Sequence, residues 1–301
     1  MILCLPALLA GTKAERGASA HRGRVRRILI AGLLFMMNLS AAERILVHGH
    51  RGARAVRPEN TLPAFEYAIS AGVDVLELDL AVTRDHVLVV SHDPHMNPKY
   101  CTGPGGAKTT IREMTFAELQ RWDCGSKVNP DYPKQKAVPG TRVPSLDEVL
   151  ALAPRGKFEF NIETKIFKDK PELTPSPEEF AKLVADALRK HKVVARTMVQ
   201  SFDFRTLHAM KRILPEVRLS ALYAGVPKDF VAIAREAGAG IVSPHYSLVT
   251  PERVRAAHEA GLVVVPWTAN APADWDRLIS ARVDAIITDD PAALIAHLKR
   301  R

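Results

Sequence analysis

The stretch Val73-Asp74-Val75-Leu76-Glu77-Leu78-Asp79-Leu80 has the alternation of a β-strand. Side chains on a strand point alternately to its two faces, so Glu77 and Asp79 share one face and the leucines share the other. At an exposed sheet edge, the two carboxylates would simply face water. Inside a closed barrel they would point into the core, where unpaired carboxylates are very unfavourable unless a cation accompanies them. The segments around this strand decide between the two alternatives.

Short apolar runs alternate with longer segments of helical period along the chain, which is typical of parallel βαβ units. Eight such runs are predicted as strands: Arg44–Val47, Val73–Leu78, Phe158–Ile162, Thr197–Gln200, Arg218–Leu222, Gly240–Ser243, Val263–Pro266 and Asp284–Ile287. Their number and even spacing favour an α/β fold of the TIM (β/α)₈ barrel type. A doubly wound α/β sheet shares the alternation and is the structural alternative.

Between these strands, the sequence predicts helices with clear boundary signals at Thr61–Ala71, Pro177–His191 and Pro251–Ala260. An additional strand at Val87–Ser91 is expected to pair with the second barrel strand. Residues 94–143 do not follow this alternation of strands and helices, and they contain many prolines and glycines. They are predicted to form a turn-rich insertion on one barrel face, after the second strand region.

The first 42 residues read as a secretory leader rather than as part of the barrel. Arginines between Arg24 and Arg27 precede an apolar run at 28–39 and small residues up to Ala42. We therefore expect cleavage near Ala42, a periplasmic or secreted protein, and one domain at 43–301. The apolar run is shorter than the ~20 residues of a spanning helix, so no stable membrane span is expected.

Two alternatives for the leader stay open, namely an uncleaved membrane-surface anchor and a true start downstream, near Val25. The chain carries a net charge of +9, much of it in the leader. Its lysines and arginines do not cluster with aromatic residues, so nucleic acid is not expected as a partner. Cys101 and Cys124 remain after cleavage and are predicted to form a disulfide, with two free thiols as the alternative.

Polar residues gather where the predicted strands end, the face on which TIM barrels place their active sites. Glu163 alternates with polar neighbours on its strand and is the natural third ligand beside Glu77 and Asp79. An all-oxygen ligand set indicates one divalent cation, Ca²⁺ or Mg²⁺. His50 and His92 lie at predicted strand ends next to these carboxylates, and a histidine pair can serve as base and acid in one displacement.

These motifs together resemble the signature of the glycerophosphodiester phosphodiesterase family. The resemblance spans residues 43–301 in order through His50-Arg51-Gly52, Pro58-Glu59-Asn60-Thr61, Glu77-Leu78-Asp79, His92-Asp93, Asn161-Ile162-Glu163-Thr164-Lys165, Gln200-Ser201-Phe202, Trp267-Thr268-Ala269-Asn270 and Thr288-Asp289-Asp290-Pro291. A second tripeptide, His21-Arg22-Gly23, lacks the preceding strand and the following Pro-Glu-Asn, so it is interpreted as a chance match. His86 occupies a turn position where the family commonly has glycine. It can adopt the required left-handed conformation at modest cost.

The resemblance implies metal-dependent hydrolysis of small-molecule glycerophosphodiesters to glycerol 3-phosphate and an alcohol. It assigns Glu77, Asp79 and Glu163 to the metal and His50 and His92 to acid and base catalysis. It places Arg51, Lys165 and Trp267 on the phosphate or substrate, with Glu59 in support of the metal or of Arg51.

Two other functions are considered on the same barrel. One is lysophospholipase D-type hydrolysis of lysophospholipids, since the insertion could build a channel for an acyl chain. The other is a catalytically silent binding protein, which retention of the expected polar positions disfavours. The sequence leaves open the leaving alcohol, the choice between Ca²⁺ and Mg²⁺, and the oligomeric state.

Overall fold

A computed structural model describes residues 44–301, so the predicted leader lies outside the described residues. The strands are β1 (Leu46–Gly49), β2 (Val75–Val82), β3 (Leu88–Val90), β4 (Glu159–Thr164), β5 (Thr197–Ser201), β6 (Arg218–Tyr223), β7 (Ile241–Pro244), β8 (Val263–Val264) and β9 (Ala285–Thr288). The α-helices are α1 (Leu62–Ala71), α2 (Phe116–Leu119), α3 (Leu146–Leu150), α4 (Pro177–Lys190), α5 (Phe204–Ile213), α6 (Phe230–Ala237), α7 (Pro251–Glu259), α8 (Pro272–Ser280) and α9 (Pro291–Leu298).

Eight parallel strands form a nearly closed barrel in the order β8-β7-β6-β5-β4-β2-β1-β9. Backbone hydrogen bonds bridge the remaining seam, from Asp284 N to Val264 O at 3.1 Å and from Ile287 N to Pro266 O at 3.0 Å. The predicted TIM barrel is therefore confirmed. The extra strand β3 is also confirmed, because it pairs antiparallel with the end of β2.

Each of the eight barrel strands differs from its predicted bounds by at least one residue, and the differences are largest in β1 and β2. β1 runs from Leu46 to Gly49 rather than from Arg44 to Val47, because its hydrogen-bonding register with β9 begins at Leu46 and continues to Gly49. β2 continues to Val82, four residues beyond its predicted end, because β3 pairs with its last three residues. A strand ends where its hydrogen-bonding partner ends, and the position of an apolar run in the sequence does not reveal that point.

The insertion, residues 94–143, has its own small apolar cluster against the end of β2 and β3. The buried members are Ala81, Val89, Met96, Cys101, Ile111, Met114, Leu119, Trp122, Cys124 and Val143. A disulfide joins Cys101 to Cys124, as predicted. Gln135 ties the insertion to the loop after β1, donating from Nε2 to the carbonyls of Arg54 at 2.8 Å and Arg57 at 3.0 Å.

The main core lies between the barrel and the helices that surround it, and Phe65, Phe160, Phe180 and Phe230 are its largest fully buried side chains. Within residues 44–301, none of the helices combines the length and the apolar character needed to cross a membrane.

Candidate active site

Strand register brings three carboxylates together at one end of the barrel. Asp79 on β2 lies opposite Glu163 on β4, and Glu77 lies two residues earlier on the same face of β2. One oxygen from each carboxylate lies within 4.8 Å of the other two. The three side chains are buried, which excludes the solvent-facing alternative and places the carboxylate cluster (Glu77, Asp79 and Glu163) inside the barrel.

Burial and mutual repulsion perturb these carboxylates strongly. Burial, followed by the charge of Asp79, raises the pKa of Glu77 well above its ordinary value. Burial also raises the pKa of Glu163, although Lys165 opposes the shift. Asp79 behaves differently: burial alone would raise its pKa, but Lys165 and Arg51 hold it well below the usual range. The neighbouring cations therefore do not fully compensate the ionisation of Glu77 and Glu163.

Two cations predicted to bind phosphate contact the cluster directly. Lys165 Nζ lies 2.7 Å from Glu163 Oε1 and 3.1 Å from Asp79 Oδ1. Arg51 Nε lies 3.1 Å from Asp79 Oδ2, and its Nη1 donates to Glu59 Oε1 at 2.7 Å. Glu59 therefore orients Arg51, one of the two roles expected of it. Burial opposes protonation of Lys165, yet Asp79 and Glu163 raise its pKa, so the side chain stays cationic.

The wider site has an excess of negative charge that suits a divalent cation. Its buried carboxylates are Glu59, Glu77, Asp79, Glu163 and Asp289, and its permanent cations are Arg51, Arg54 and Lys165. A bound ion of charge +2 would match this excess, and carboxylate oxygens are the ligands that Ca²⁺ and Mg²⁺ prefer. The residues present therefore fit the implied metal.

His50 follows β1 and lies beside the carboxylate cluster. Its Nδ1 lies 2.5 Å from Asp289 Oδ1, and its Nε2 lies 4.0 Å from Glu77 Oε2. Asn270 holds Asp289 in turn, donating from Nδ2 to Oδ2 at 2.8 Å. Burial lowers the pKa of His50, although Asp289 partly opposes that shift. The sequence placed Asp289 at a strand end but did not identify it as the partner of His50.

His92 follows β3 and is more exposed than His50. Its Nδ1 lies 2.8 Å from Asp93 Oδ1. The hydrogen bond from His92, against some burial, lowers the pKa of Asp93 to about 2. The other carboxylate oxygen of Asp93 lies 3.3 Å from Asn97 Nδ2 and 3.5 Å from Tyr100 Oη, both in the insertion. The insertion thus contacts the group that orients His92.

The turn after β1 presents its backbone to the cluster. Arg51 has φ of 49°, in the left-handed region that a non-glycine residue rarely adopts, and its N–H donates to Glu77 Oε2 at 2.8 Å. Gly52 packs so tightly against α1 that a Cβ would lie 2.7 Å from the carbonyl carbon of Ala64. The His50-Arg51-Gly52 sequence therefore lets this turn pass between the cluster and α1.

A buried chain of amides supports Glu77 from inside the barrel. Gln200 donates from Nε2 to Glu77 Oε1 at 2.9 Å and accepts from Asn161 Nδ2 at 3.0 Å. His48 Nδ1 lies 3.5 Å from the same Asn161 nitrogen. Burial, followed by the charge of Arg218, lowers the pKa of His48 to about 3, so its ring is neutral. His48 is therefore a neutral ring beside this amide chain.

A cleft of about 270 Å³ opens beside Lys165 and His92. It is lined by His92, Asp93, Pro94, Glu163, Thr164, Lys165, Ile166, Phe167, Phe202 and Asp203. Trp267 contacts Phe202 edge to face, with ring centroids 5.4 Å apart, and its indole N–H donates to Ser243 O at 2.9 Å. His86, the departure from the family pattern, has the expected left-handed φ of 62°.

The sequence and the fold match one family of known proteins. A family model described as the glycerophosphoryl diester phosphodiesterase family matches residues 50–293. A glycerophosphodiester phosphodiesterase of Caldanaerobacter subterraneus is 34% identical over 259 residues, covering 85% of this chain and 99% of that protein. A glycerophosphodiester phosphodiesterase of Bacillus subtilis is 35% identical over 273 residues, covering 84% of this chain and 86% of that protein.

Solved structures show the same barrel. A crystal structure from Silicibacter pomeroyi has a TM-score of 0.79 and 32% identity, covering 86% of this chain and 94% of that one. A phosphodiesterase of Oleispira antarctica, solved with the product sn-glycerol-3-phosphate, has a TM-score of 0.71. The match covers 84% of this chain and 96% of that one. At 21% identity, the second structure supports the fold alone.

Proposed function

Because the chain belongs to the glycerophosphoryl diester phosphodiesterase family, we propose that it hydrolyses glycerophosphodiesters to glycerol 3-phosphate and an alcohol, using two histidines and one divalent cation. The observation that carries the proposal is the carboxylate cluster with a histidine on either side. His50 lies 4.0 Å from Glu77, and His92 lines the cleft that Glu163 and Lys165 share.

His50 is assigned as the base in the first step. Its Nδ1–H donates to ionised Asp289, so Nε2 is left to take the proton from the glycerol 2-hydroxyl. The hydroxyl oxygen then attacks phosphorus and forms a cyclic phosphate. The Asp289 carboxylate stabilises the imidazolium that results, and Asn270 keeps that carboxylate in place.

His92 is assigned as the acid, because it lines the cleft available to the leaving group. As the bond between phosphorus and the leaving oxygen breaks, His92 gives its proton to that oxygen and releases the alcohol. In the second step the roles reverse. His92 takes a proton from water, and the water oxygen bonds to phosphorus. The bond between phosphorus and the glycerol 2-oxygen breaks, and His50 returns its proton to that oxygen as glycerol 3-phosphate forms.

Arg51 and Lys165 would balance the charge that builds on the phosphoryl oxygens in both steps. Glu77, Asp79 and Glu163 would hold the cation, Ca²⁺ or Mg²⁺. When bound, that ion would polarise the phosphoryl oxygens and lower the pKa of the attacking hydroxyl.

Turnover with and without metal tests this function. The purified protein should release glycerol 3-phosphate from glycerophosphocholine when Ca²⁺ or Mg²⁺ is present, and a chelator should abolish the release. Full activity in chelator would contradict the metal role. Complete lack of turnover with either ion on a panel of glycerophosphodiesters would favour the silent binding protein instead.

We further propose that residues 1–42 direct export and are removed near Ala42. The arginines, apolar run and small residues of this segment support the proposal. The disulfide also suits an oxidising compartment. N-terminal sequencing of protein from a periplasmic or culture fraction should give a start at or near Glu43. Cytoplasmic protein that retains residues from 25 onward would contradict it.

A further inference from the structure

The cleft beside the carboxylate cluster is lined by two chemically different sets of groups. One set is Lys165 and Glu163, which belong to the phosphate and metal machinery proposed above. The other set is the rings of Phe167 and Phe202 and the carboxylate of Asp93. His92, the proposed acid for the leaving oxygen, also lines this cleft, so the leaving alcohol would extend along it.

Phe202 is unusual in being a large apolar side chain on the surface. It is 47% exposed and follows the end of β5 directly. The edge-to-face contact with Trp267 holds the ring in place while part of it stays open to the cleft. An exposed aromatic ring held in this way offers its negative face to a cation.

Asp93 supplies negative charge in the same cleft. Its side chain is 39% exposed, and its hydrogen bonds go to His92, Asn97 and Tyr100, none of which is a permanent cation. Besides Glu163, the cleft has one further carboxylate, Asp203, which is already paired with Arg205. Aromatic faces beside an ionised carboxylate are the groups that bind quaternary ammonium ions.

We infer that Phe202, Phe167 and Asp93 form a leaving-group subsite for a small alcohol with a quaternary ammonium group, such as choline. The inference rests on the proposed function, because it concerns the alcohol half of the same substrate. The subsite selects diesters whose leaving alcohol is cationic over diesters whose leaving alcohol is neutral.

The test compares glycerophosphocholine with its neutral isostere, the 3,3-dimethylbutyl ester, in which carbon replaces the quaternary nitrogen. The two leaving groups have nearly the same shape and differ in charge. The wild-type enzyme should prefer the charged substrate in kcat/KM by on the order of tenfold, the usual worth of a cation over an aromatic face. Turnover of neither ester would contradict the proposed function. Equal turnover of both would contradict the subsite alone.

Variants at Phe202 assign the preference to this ring. F202L should reduce the preference several-fold, F202Y should retain it because the aromatic face remains, and F202K should reverse it by repelling the ammonium group. The matched control is F204L, the same change at a ring that packs against the main core. If F202L slowed both esters equally, or if the preference survived in F202K, the ring would have only a structural role and the subsite would be wrong.

Discussion

The carboxylate cluster and the insertion lie side by side but are built in opposite ways. Glu77, Asp79 and Glu163 occupy strands whose register fixes them to within one residue, and they bury charge that their cations do not fully balance. The insertion has little regular structure, and a disulfide, a small apolar cluster and side-chain bonds such as that of Gln135 hold it together.

This difference separates chemistry from stability. A buried excess of like charge is unfavourable for folding but prepares a site for a cation, so cluster residues serve function at the expense of stability. The crosslinks of the insertion do the reverse, since they order a segment that lacks strand partners. Changes near the cluster should therefore mainly alter turnover, and changes in the insertion should mainly alter the free energy of unfolding.

The largest expected effect comes from the two histidines. H50A and H92A should each lower kcat by roughly 10² to 10⁴, the usual worth of a general base or acid. Metal affinity, measured by calorimetry, should stay nearly unchanged, because neither histidine belongs to the carboxylate cluster. The melting temperature should also change little, as expected of residues that serve turnover.

The nitrophenyl ester of glycerol phosphate distinguishes the histidine that acts as the acid from the one that acts as the base. Its leaving group needs little protonation, so it should restore much of the lost rate in the variant that lacks the acid, which we expect to be H92A. Rescue of H50A instead would reverse the assigned roles. Near-normal turnover of glycerophosphocholine by both variants would contradict the mechanism.

The disulfide should have the next largest effect, and it should be an effect on stability. The double variant C101A/C124A should lower the free energy of unfolding by about 3 kcal/mol in the chain-entropy model, given a sequence separation of 23 between the cysteines. Urea denaturation without reductant measures the difference. kcat should fall much less than in H92A, although Tyr100 and Asn97 approach Asp93 from the insertion.

Reduction of the wild-type protein is the matched control for that variant. It should lower stability by a similar amount while leaving both side chains in place. Unchanged unfolding free energy in both cases would show that the apolar cluster alone orders the insertion. Loss of kcat as large as in H92A would show that the two regions are not separable.

The same contrast explains what the sequence could predict. Alternation along β2 and β4 was enough to place Glu77, Asp79 and Glu163 on one face, because strand geometry is regular and the residues are close in sequence. The left-handed conformation of His86 was predictable for the same reason, because it depends only on residues close in sequence. The Cys101–Cys124 pair was predictable because residues 44–301 offer no other cysteines.

Contacts between distant segments could not be predicted in this way. His50 and Asp289 are 239 positions apart in sequence and meet because β1 and β9 are neighbouring strands of the barrel. Phe202 and Phe167 likewise come together only through the loops after β4 and β5. The motif Thr288-Asp289-Asp290-Pro291 did indicate that Asp289 belongs to the active face, since it is a polar residue at a strand end. It did not indicate that His50 is its hydrogen-bonding partner.

The smallest effect concerns the metal-free protein and tests whether the cluster is unfavourable for folding. Glu77 and Glu163 have pKa values raised above 4.5, chiefly by burial. The unfolded chain therefore loses these protons at lower pH than the folded protein does, so metal-free stability should fall as pH rises above 4.5. Asp79 does not alter this trend, because its pKa is lowered below 3.8 and its stabilising contribution is complete above that value.

E163Q is the sharpest variant for this test. Glu77 accepts hydrogen bonds from both Arg51 and Gln200, so a glutamine there would lose one of them, whereas the amide oxygen of Gln at 163 can still accept from Lys165. Without metal, E163Q should melt at a slightly higher temperature than the wild type at pH 7, and its stability should depend less on pH. Added Ca²⁺ or Mg²⁺ should stabilise the wild type more than the variant, since binding to the folded state raises stability by mass action. A metal-free variant less stable than the wild type at pH 7 would mean that Lys165 and Arg51 already balance the cluster, and the need for a cation would lose its main electrostatic support.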